Sequence, residues 1–168
     1  MSSILKVDTI QNTGGTTGLT IDSNGRLGVS NPIIFYGRKN NVSDYTTIGT
    51  IVWNVSMVDT ANAYSTSTGL FTCPKAGHYE IHWNYLQRKT GFLRTTAQKN
   101  GSHIYGSGSA TMIYGWSSAN EEDMRAATCI VNCAVGDTLS IRFEDKSSTA
   151  DIYFGSNSHN CFTVKFLG

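Results

Sequence analysis

From Tyr79 to Tyr85 large apolar residues fall on every second position (Tyr79, Ile81, Trp83, Tyr85), while His78, Glu80, His82 and Asn84 occupy the positions between. A period of two belongs to an extended strand with one face buried, because successive side chains of a strand point to opposite sides. A helix would scatter these residues around its circumference. The chain must therefore build a sheet whose inner face carries four bulky side chains, and a second layer must cover that face. At 168 residues it is long enough to bury about two-thirds of its unfolded surface in one core, without help from disulfides or metal.

The rest of the chain repeats the pattern. From Pro32 onward short apolar runs alternate with turn signals at intervals of about 8–12 residues. The spacing predicts strands over 33–36, 49–55, 69–73, 77–86, 91–99, 102–105, 112–116, 126–134, 138–144, 152–154 and 161–167. Asn100-Gly101 between two of them is a tight-hairpin signal. Residues 119–127, with Glu121, Glu122, Asp123 and Arg125, have helical composition but too little length, and are read as a turn. The expected fold is all-β, a jelly-roll sandwich of two sheets.

Residues 1–31 differ from this head region, 32–168, and read as a separate arm. Ile4 to Ile10 is a short strand-like run that includes Leu5 and Val7, and Leu19-Thr20-Ile21 faces Leu27-Gly28-Val29 across a turn containing Asn24-Gly25. Leu19, Ile21, Leu27 and Val29 would each contribute about 1.5–3 kcal/mol if buried. The arm holds no second layer of its own, so these residues and Ile4, Leu5, Val7 and Ile10 are expected to dock against other copies or another protein.

Charge excludes several functions. Charged residues make up 15% of the chain with a net charge of +1, and the 13 Lys and Arg are scattered, so neither a nucleic-acid footprint nor a basic membrane patch is present. No run approaches the ~20 apolar residues of a membrane helix, and the first residues lack the layout of a signal peptide, so no membrane insertion or export by that route is expected. Cys73, Cys129, Cys133 and Cys161 are expected to be free thiols. Cys129 and Cys133 share a strand face about 13 Å apart, too far to grip one zinc ion together.

Trp53, Asp59, Tyr64, Phe71, Gly77, Tyr79 and Ile81 stand at intervals of five, four, six and five intervening residues up to Gly77, followed by the Gly-x-Tyr-x-Ile of the first strand described above, with Trp83 next on the same face. This spacing resembles the signature of the globular head domain of the complement component 1q family, with Trp53 in place of the usual first Phe and Ile81 in place of the last. Lys99-Asn100-Gly101, Val135-Gly136-Asp137 and the closing segment from Phe162 to Leu167 resemble later landmarks of that family. The resemblance spans about residues 50–168. It implies the jelly roll, and it implies a homotrimer in which one sheet of each copy faces the threefold axis; on this reading Gly136, Asp137, Phe162 and the signature residues serve the fold and the trimer. The count of large aromatics, among them Trp53, Tyr79, Trp83, Tyr85, Phe92, Tyr105, Tyr114, Trp116, Tyr153 and Phe162, exceeds what one thin sandwich core is expected to enclose and points the same way. The opening Ser2–Gln11 and the stretch Leu19–Val29 resemble the N-terminal arms and shaft repeats of tail-fibre and other virion proteins of bacteriophages, especially those infecting cyanobacteria.

No catalytic constellation accompanies these features. Gly106-Ser107-Gly108-Ser109-Ala110 only superficially echoes a nucleophile elbow, and no paired carboxylates occupy a recognisable cleft motif. His78, Glu80 and His82 share a strand face, but all three cannot reach one ion within a strand. No cofactor is expected; calcium is left open at the acidic residues Glu121, Glu122, Asp123, Glu144, Asp145 and Asp151. The expected function is that of a non-enzymatic virion structural protein assembled in the host cytoplasm, a homotrimeric tail-fibre or baseplate-tip knob that contacts a host cell-surface glycan and joins other virion proteins through its arm. A capsid decoration or head-fibre trimer is the alternative. Ligand contacts are expected on loops, at Ser107, Ser109, Trp116, Asn120, Lys146 and Asp151, because sandwich loops carry recognition.

Overall fold

The structure, a computed structural model, describes residues 7–15, 17–29, 32–40, 45–104, 112–117, 122–154 and 160–168. The chain separates into two compact units, Met1–Pro32 and Ile33–Gly168. All regular structure among the described residues is strand, and no helix is long and apolar enough to cross a membrane.

The first unit is a three-stranded antiparallel sheet of β1 (Thr9–Gln11), β2 (Thr17–Ile21) and β3 (Leu27–Val29), in that order. The expected hairpin is present in register, with Leu19 opposite Val29 and Ile21 opposite Leu27, and β1 adds a third strand to it. At its turn only Gly25 takes a positive φ, of 75°. Asp22 does the remaining work, its carboxylate accepting from the backbone N–H groups of Asn24 and Arg26 at 2.9 and 2.8 Å. Ile10 and Leu27 stay 52% and 68% exposed, and Leu19 and Ile21 are half-buried. Ile4 and Leu5 lie outside the described residues.

The second unit is a sandwich. Its strands are β4 (Ile34–Arg38), β5 (Gly49–Thr50), β6 (Val55–Asp59), β7 (Phe71–Thr72), β8 (Gly77–Arg88), β9 (Gly91–Lys99), β10 (Ser102–His103), β11 (Met112–Ser117), β12 (Asp123–Cys133), β13 (Thr138–Lys146), β14 (Asp151–Tyr153) and β15 (Cys161–Phe166). One sheet runs β12-β8-β15-β4-β6, with β14 continuing beside β8; the other runs β10-β9-β13-β5, with β11 on β9 and β7 on β13. The hairpin at Asn100-Gly101 forms as expected, with φ of 52° and 74° and Lys99 opposite Ser102.

Two sequence expectations change. The run 49–55, read as one strand, is broken: β5 pairs with β13 in one sheet and β6 pairs with β4 in the other. Between them the chain crosses the core, and its backbone is satisfied from elsewhere. Ile51 N donates to Ile141 O at 2.8 Å, Trp53 N donates to the Tyr64 hydroxyl at 2.9 Å, and the Lys39 ammonium donates to Val52 O at 2.9 Å. Residues 123–125, read as part of a turn, open β12, where they pair with Gln87, Leu86 and Tyr85 of β8; partner-strand pairing overrides local propensity.

The core lies between the sheets. Tyr79, Ile81, Trp83 and Tyr85 of β8 are all at 0% exposure, as the alternation requires, and face Leu93 and Ala97 of β9 and Leu139, Ile141 and Phe143 of β13. Trp83 Nε1 donates to Thr95 Oγ1 at 3.0 Å, and that hydroxyl reaches the Tyr85 hydroxyl at 3.4 Å, so the two sheets share a buried polar link. Phe35 stacks on Tyr64 with ring centroids 4.1 Å apart and meets Phe162 edge-on at 5.4 Å, and Trp53 lies 6.0 Å from Phe162. Gly77 starts β8 at φ 140°, where a Cβ would stand 2.5 Å from Gly168 O; the bare backbone lets His78 N donate to that carbonyl at 2.8 Å.

Removing a ring from this column leaves a cavity that the sheets cannot close. Phe162→Ala is therefore expected to lower unfolding free energy by about 3–5 kcal/mol in urea titration with an unchanged slope. Tyr114→Ala on the outer surface should stay within about 0.5 kcal/mol of the parent.

Candidate functional site

The signature residues form the sandwich core within a single chain. Trp53, Phe71, Tyr79, Ile81, Trp83 and Phe162 are wholly buried and Tyr64 nearly so. Asp59 closes the connecting turn, its two carboxylate oxygens accepting from Ala63 N at 3.0 Å and Tyr64 N at 2.9 Å. Burial pushes the Tyr64 phenol far up, and its oxygen accepts from Trp53 N. The core wholly encloses half of the large aromatics counted in the sequence. Of the ten named, Trp53, Tyr79, Trp83, Tyr85 and Phe162 fit at 0% exposure inside one copy. Tyr153 lies under the Arg88 guanidinium at 4.5 Å, and Tyr105 lies outside the described residues. Tyr114 and Trp116, at 57% and 59%, are the ones left wet.

A turn network sits at one end of the sandwich. Gly136, at φ 87°, allows Asp137 to fold back, so that its carboxylate accepts from Asn100 Nδ2 at 2.7 Å, Ala134 N at 2.8 Å and the Lys99 ammonium at 3.0 Å. The hydrogen bond from Asn100, followed by those from Ala134 and Lys99, holds the acid down at about 2. Asn100 Oδ1 in turn accepts from Thr138 N at 2.8 Å, so one hairpin is tied to the next.

Two outer faces remain. On the β12-β8-β15-β4-β6 sheet, register aligns Thr128, His82, Thr163, Tyr36 and Val58 in one row and Ile130, Glu80, Lys165 and Ile34 in the next. His82 Nδ1 and Thr128 Oγ1 are 2.9 Å apart. Glu80 and Lys165 are directly opposed across strands, and Ile130, Met124 and Val58 are 46%, 50% and 41% exposed. This face combines apolar side chains with a few polar pairs.

On the opposite sheet Trp116 and Tyr114 project from β11, beside Phe92 of β9, which lies directly across from Trp116. Trp116, expected both at the end of the strand 112–116 and as the first contact of the loop after it, lies on the outer face of the strand. Phe92 is 5.9 Å from Tyr114 and 6.5 Å from Trp116 by ring centroids, with interplanar angles of 17° and 18°. The Arg94 guanidinium stands 5.6 Å from the Tyr114 ring centre. Sequence reading missed this row because its partners come from two strands separated by residues whose pairing no local pattern reveals.

The other loop candidates do not gather there. Asp151, expected in an exposed loop, is fully buried in β14 with Lys89 Nζ at 2.6 Å and Arg88 Nε at 3.6 Å, which removes it as a ligand contact; a buried carboxylate persists only when cations compensate it. Lys146 closes β13 and donates to the carbonyls of Ser147 and Ser148 at 3.0 and 3.1 Å. Ser107, Ser109, Asn120 and Glu121 lie outside the described residues. Of the acidic residues left open for calcium, Asp123 pairs with Arg125 at 2.9 Å, and Glu144 pairs with Arg142 at 3.2 Å and hydrogen-bonds with His103 at 2.9 Å. Among the described residues no group of three or more His, Cys, Asp or Glu is placed to hold a metal. All four cysteines are free; burial raises the Cys129 thiol to about 11, and Cys73 and Cys133, also raised by burial, adjoin each other in the core.

Comparison with known proteins agrees with this geometry. The family model for the C1q domain matches residues 34–164. The globular domain of zebrafish complement 1qA superposes with a TM-score of 0.64 at 14% identity, covering 82% of this chain and 98% of that one. Murine APRIL gives 0.62 at 8% identity, over 81% of this chain and 99% of the other, and the Eiger TNF of S. frugiperda gives 0.59 at 10%, over 82% and 93%. These likenesses establish the jelly-roll fold. No curated protein sequence matches the chain.

Because the Asp137 carboxylate is held below the ordinary range of about 3.9, its stabilising effect is complete above that value and is lost as pH falls through the folded value of about 2. Asp137→Asn should therefore unfold at lower urea than the parent near neutral pH. The gap between the two midpoints should narrow as titrations are repeated toward about pH 2.

Proposed function

We propose that this chain, which belongs to the C1q domain family, is a non-enzymatic bacteriophage virion protein: a homotrimeric knob at a tail-fibre or baseplate tip that attaches to the host surface. Domains of this family and of the tumour necrosis factor type are generally binding or structural modules and often trimeric. The observation that carries the reading is the joining of such a head to a three-stranded arm sheet that leaves Ile10 and Leu27 half or more exposed. A sheet of this size gains little stability alone, and its apolar residues suit docking onto another virion component. The resemblance of Ser2–Gln11 and Leu19–Val29 to phage fibre arms favours the virion as that setting.

Within the trimer, the face carrying the Thr128–His82–Thr163–Tyr36–Val58 row would turn toward the threefold axis. It is the sheet face on which exposed Ile130 and Met124 lie beside half-buried polar side chains, a composition between that of a core and that of a solvated surface. The arm would join the knob to its neighbour in the particle, and with one sheet turned to the axis the other would face away from it. A capsid decoration protein would use the same arm to clamp capsid subunits.

Sedimentation at low concentration should report a species of three 18.3 kDa chains. Ile130→Arg, which adds a charge at a position 46% exposed in one copy, should yield folded monomers. A stable monomer of the parent protein would defeat the trimer, and an Ile130→Arg trimer would move its interface elsewhere. Immunogold labelling and quantitative gels of purified virions should find few copies, at the tail. Many copies over the head would make it a decoration protein instead.

A further inference from the structure

We infer that the row Tyr114–Phe92–Trp116, together with Arg94, is a binding platform for an acidic saccharide. The inference rests on the attachment reading for the origin of that sugar, a glycan of the host surface, and it moves the contact from the loop tips to a sheet face.

The platform is built, not incidental. Along β11 the side chains alternate, Ile113 and Ser117 buried and Tyr114 and Trp116 out. Between them Gly115 is a requirement: a Cβ there would stand 2.4 Å from Gln87 Oε1 and 2.7 Å from Arg125 Nε. Gln87, itself buried, donates to Gly91 O of the neighbouring β9 at 2.8 Å, and the half-buried Arg125 holds β11 from beneath, its Nη2 donating to Trp116 O at 3.1 Å. The two outward rings are thus carried on a braced strand, with Phe92 between them in nearly parallel orientation.

Arg94 supplies the charge. Its guanidinium lies over Tyr114, its Nε is shielded without a hydrogen-bond partner, and it makes no ion pair among the described residues. Of the nearby acids, Glu144 is shared by His103 and Arg142, and Asp145, opposite Arg94 in the ladder, is exposed and turns one oxygen to Lys146 N at 2.8 Å. A guanidinium left in this way matches a carboxylate or sulfate through two parallel hydrogen bonds.

Ligand class follows from the shape of the strip. A pyranose ring has one face of weakly positive C–H bonds that rests on the negative face of an aromatic ring, and a rim of hydroxyls that needs polar neighbours. A protein partner would ordinarily cover about 800 Å² per side with an apolar centre. Among the described residues the apolar surface here is one row wide, and the face turns polar at once with Arg142, Glu144 and His103. A sugar acid fits such a strip, with its ring on the aromatics and its anion on Arg94.

Trp116 reports on its own site, since the other two tryptophans, Trp53 and Trp83, are wholly buried. The parent trimer is titrated with uronate, sulfated and sialylated oligosaccharides and with neutral glucans, and tryptophan emission and acrylamide quenching are followed. At least one acidic sugar should shift emission to the blue and protect Trp116, with neutral glucans binding about tenfold more weakly or worse. Tyr114→Ala and Arg94→Gln, which keep the reporter, should each weaken that binding about tenfold. If no acidic sugar protects Trp116, or if Arg94→Gln binds as the parent does, the inference fails. A trimer that dissociates on Tyr114→Ala would make the strip a contact between copies and would also overturn it. Purified full-length protein that blocks virion adsorption without sugar protection of Trp116 would leave attachment standing and the platform refuted; sugar protection without blocked adsorption would do the reverse.

Discussion

The inward face of β8 is the constraint on which the rest of the head depends. Tyr79, Ile81, Trp83 and Tyr85 can be dry together only if a second sheet lies across them. The Trp83–Thr95–Tyr85 link then fixes where that sheet sits, because the indole N–H and phenol must find partners once water is excluded. Around that link the rings of Phe35, Tyr64, Phe162 and Trp53 fill the interior. The chain crossing at residues 51–54 is tolerable because Tyr64 and Lys39 satisfy backbone groups that no strand partner reaches.

Closing the core this way leaves two outer faces with different chemistry. The β12-β8-β15-β4-β6 face mixes exposed Ile130 and Met124 with His82, Thr128, Glu80 and Lys165, as suits contact with further copies. On the other face most apolar side chains are turned inward and the alternate positions are polar or charged, among them Thr96, Gln98, Ser140, Arg142 and Glu144, apart from the aromatic row on β9 and β11. The two faces are consequences of one alternation: whichever residues lack a place inside are offered to partners.

Much of the head was legible beforehand. The strands of β8, β9, β13 and β15 and the hairpin at Asn100-Gly101 follow from period-two patterning and from the positive φ that Asn-Gly accepts. The arm hairpin was also legible, down to Leu19 opposite Val29. The site was far less so. Trp116 was named as a contact at a strand end, Asp151 proved to be buried against Lys89, and the row with Phe92 and Arg94 went unseen. The aromatics counted in the sequence divide between a core of stacked and edge-on rings and an outer row, where Tyr114 and Trp116 stay exposed on the sheet opposite Ile130 and Met124.

Local order is written in neighbouring residues, and so the sequence by itself determined that β8, β9, β13 and β15 are strands, which side chains of β8 turn inward, and where tight turns of Asn and Gly fall. Tertiary structure alone decided that residues 51–54 cross between sheets, that Asp151 is compensated while Arg94 is not, and that Tyr114 and Trp116 stay exposed over Gly115. Those outcomes depend on groups brought together from distant parts of the chain, and exposure and charge pairing are properties of that meeting, not of any single segment.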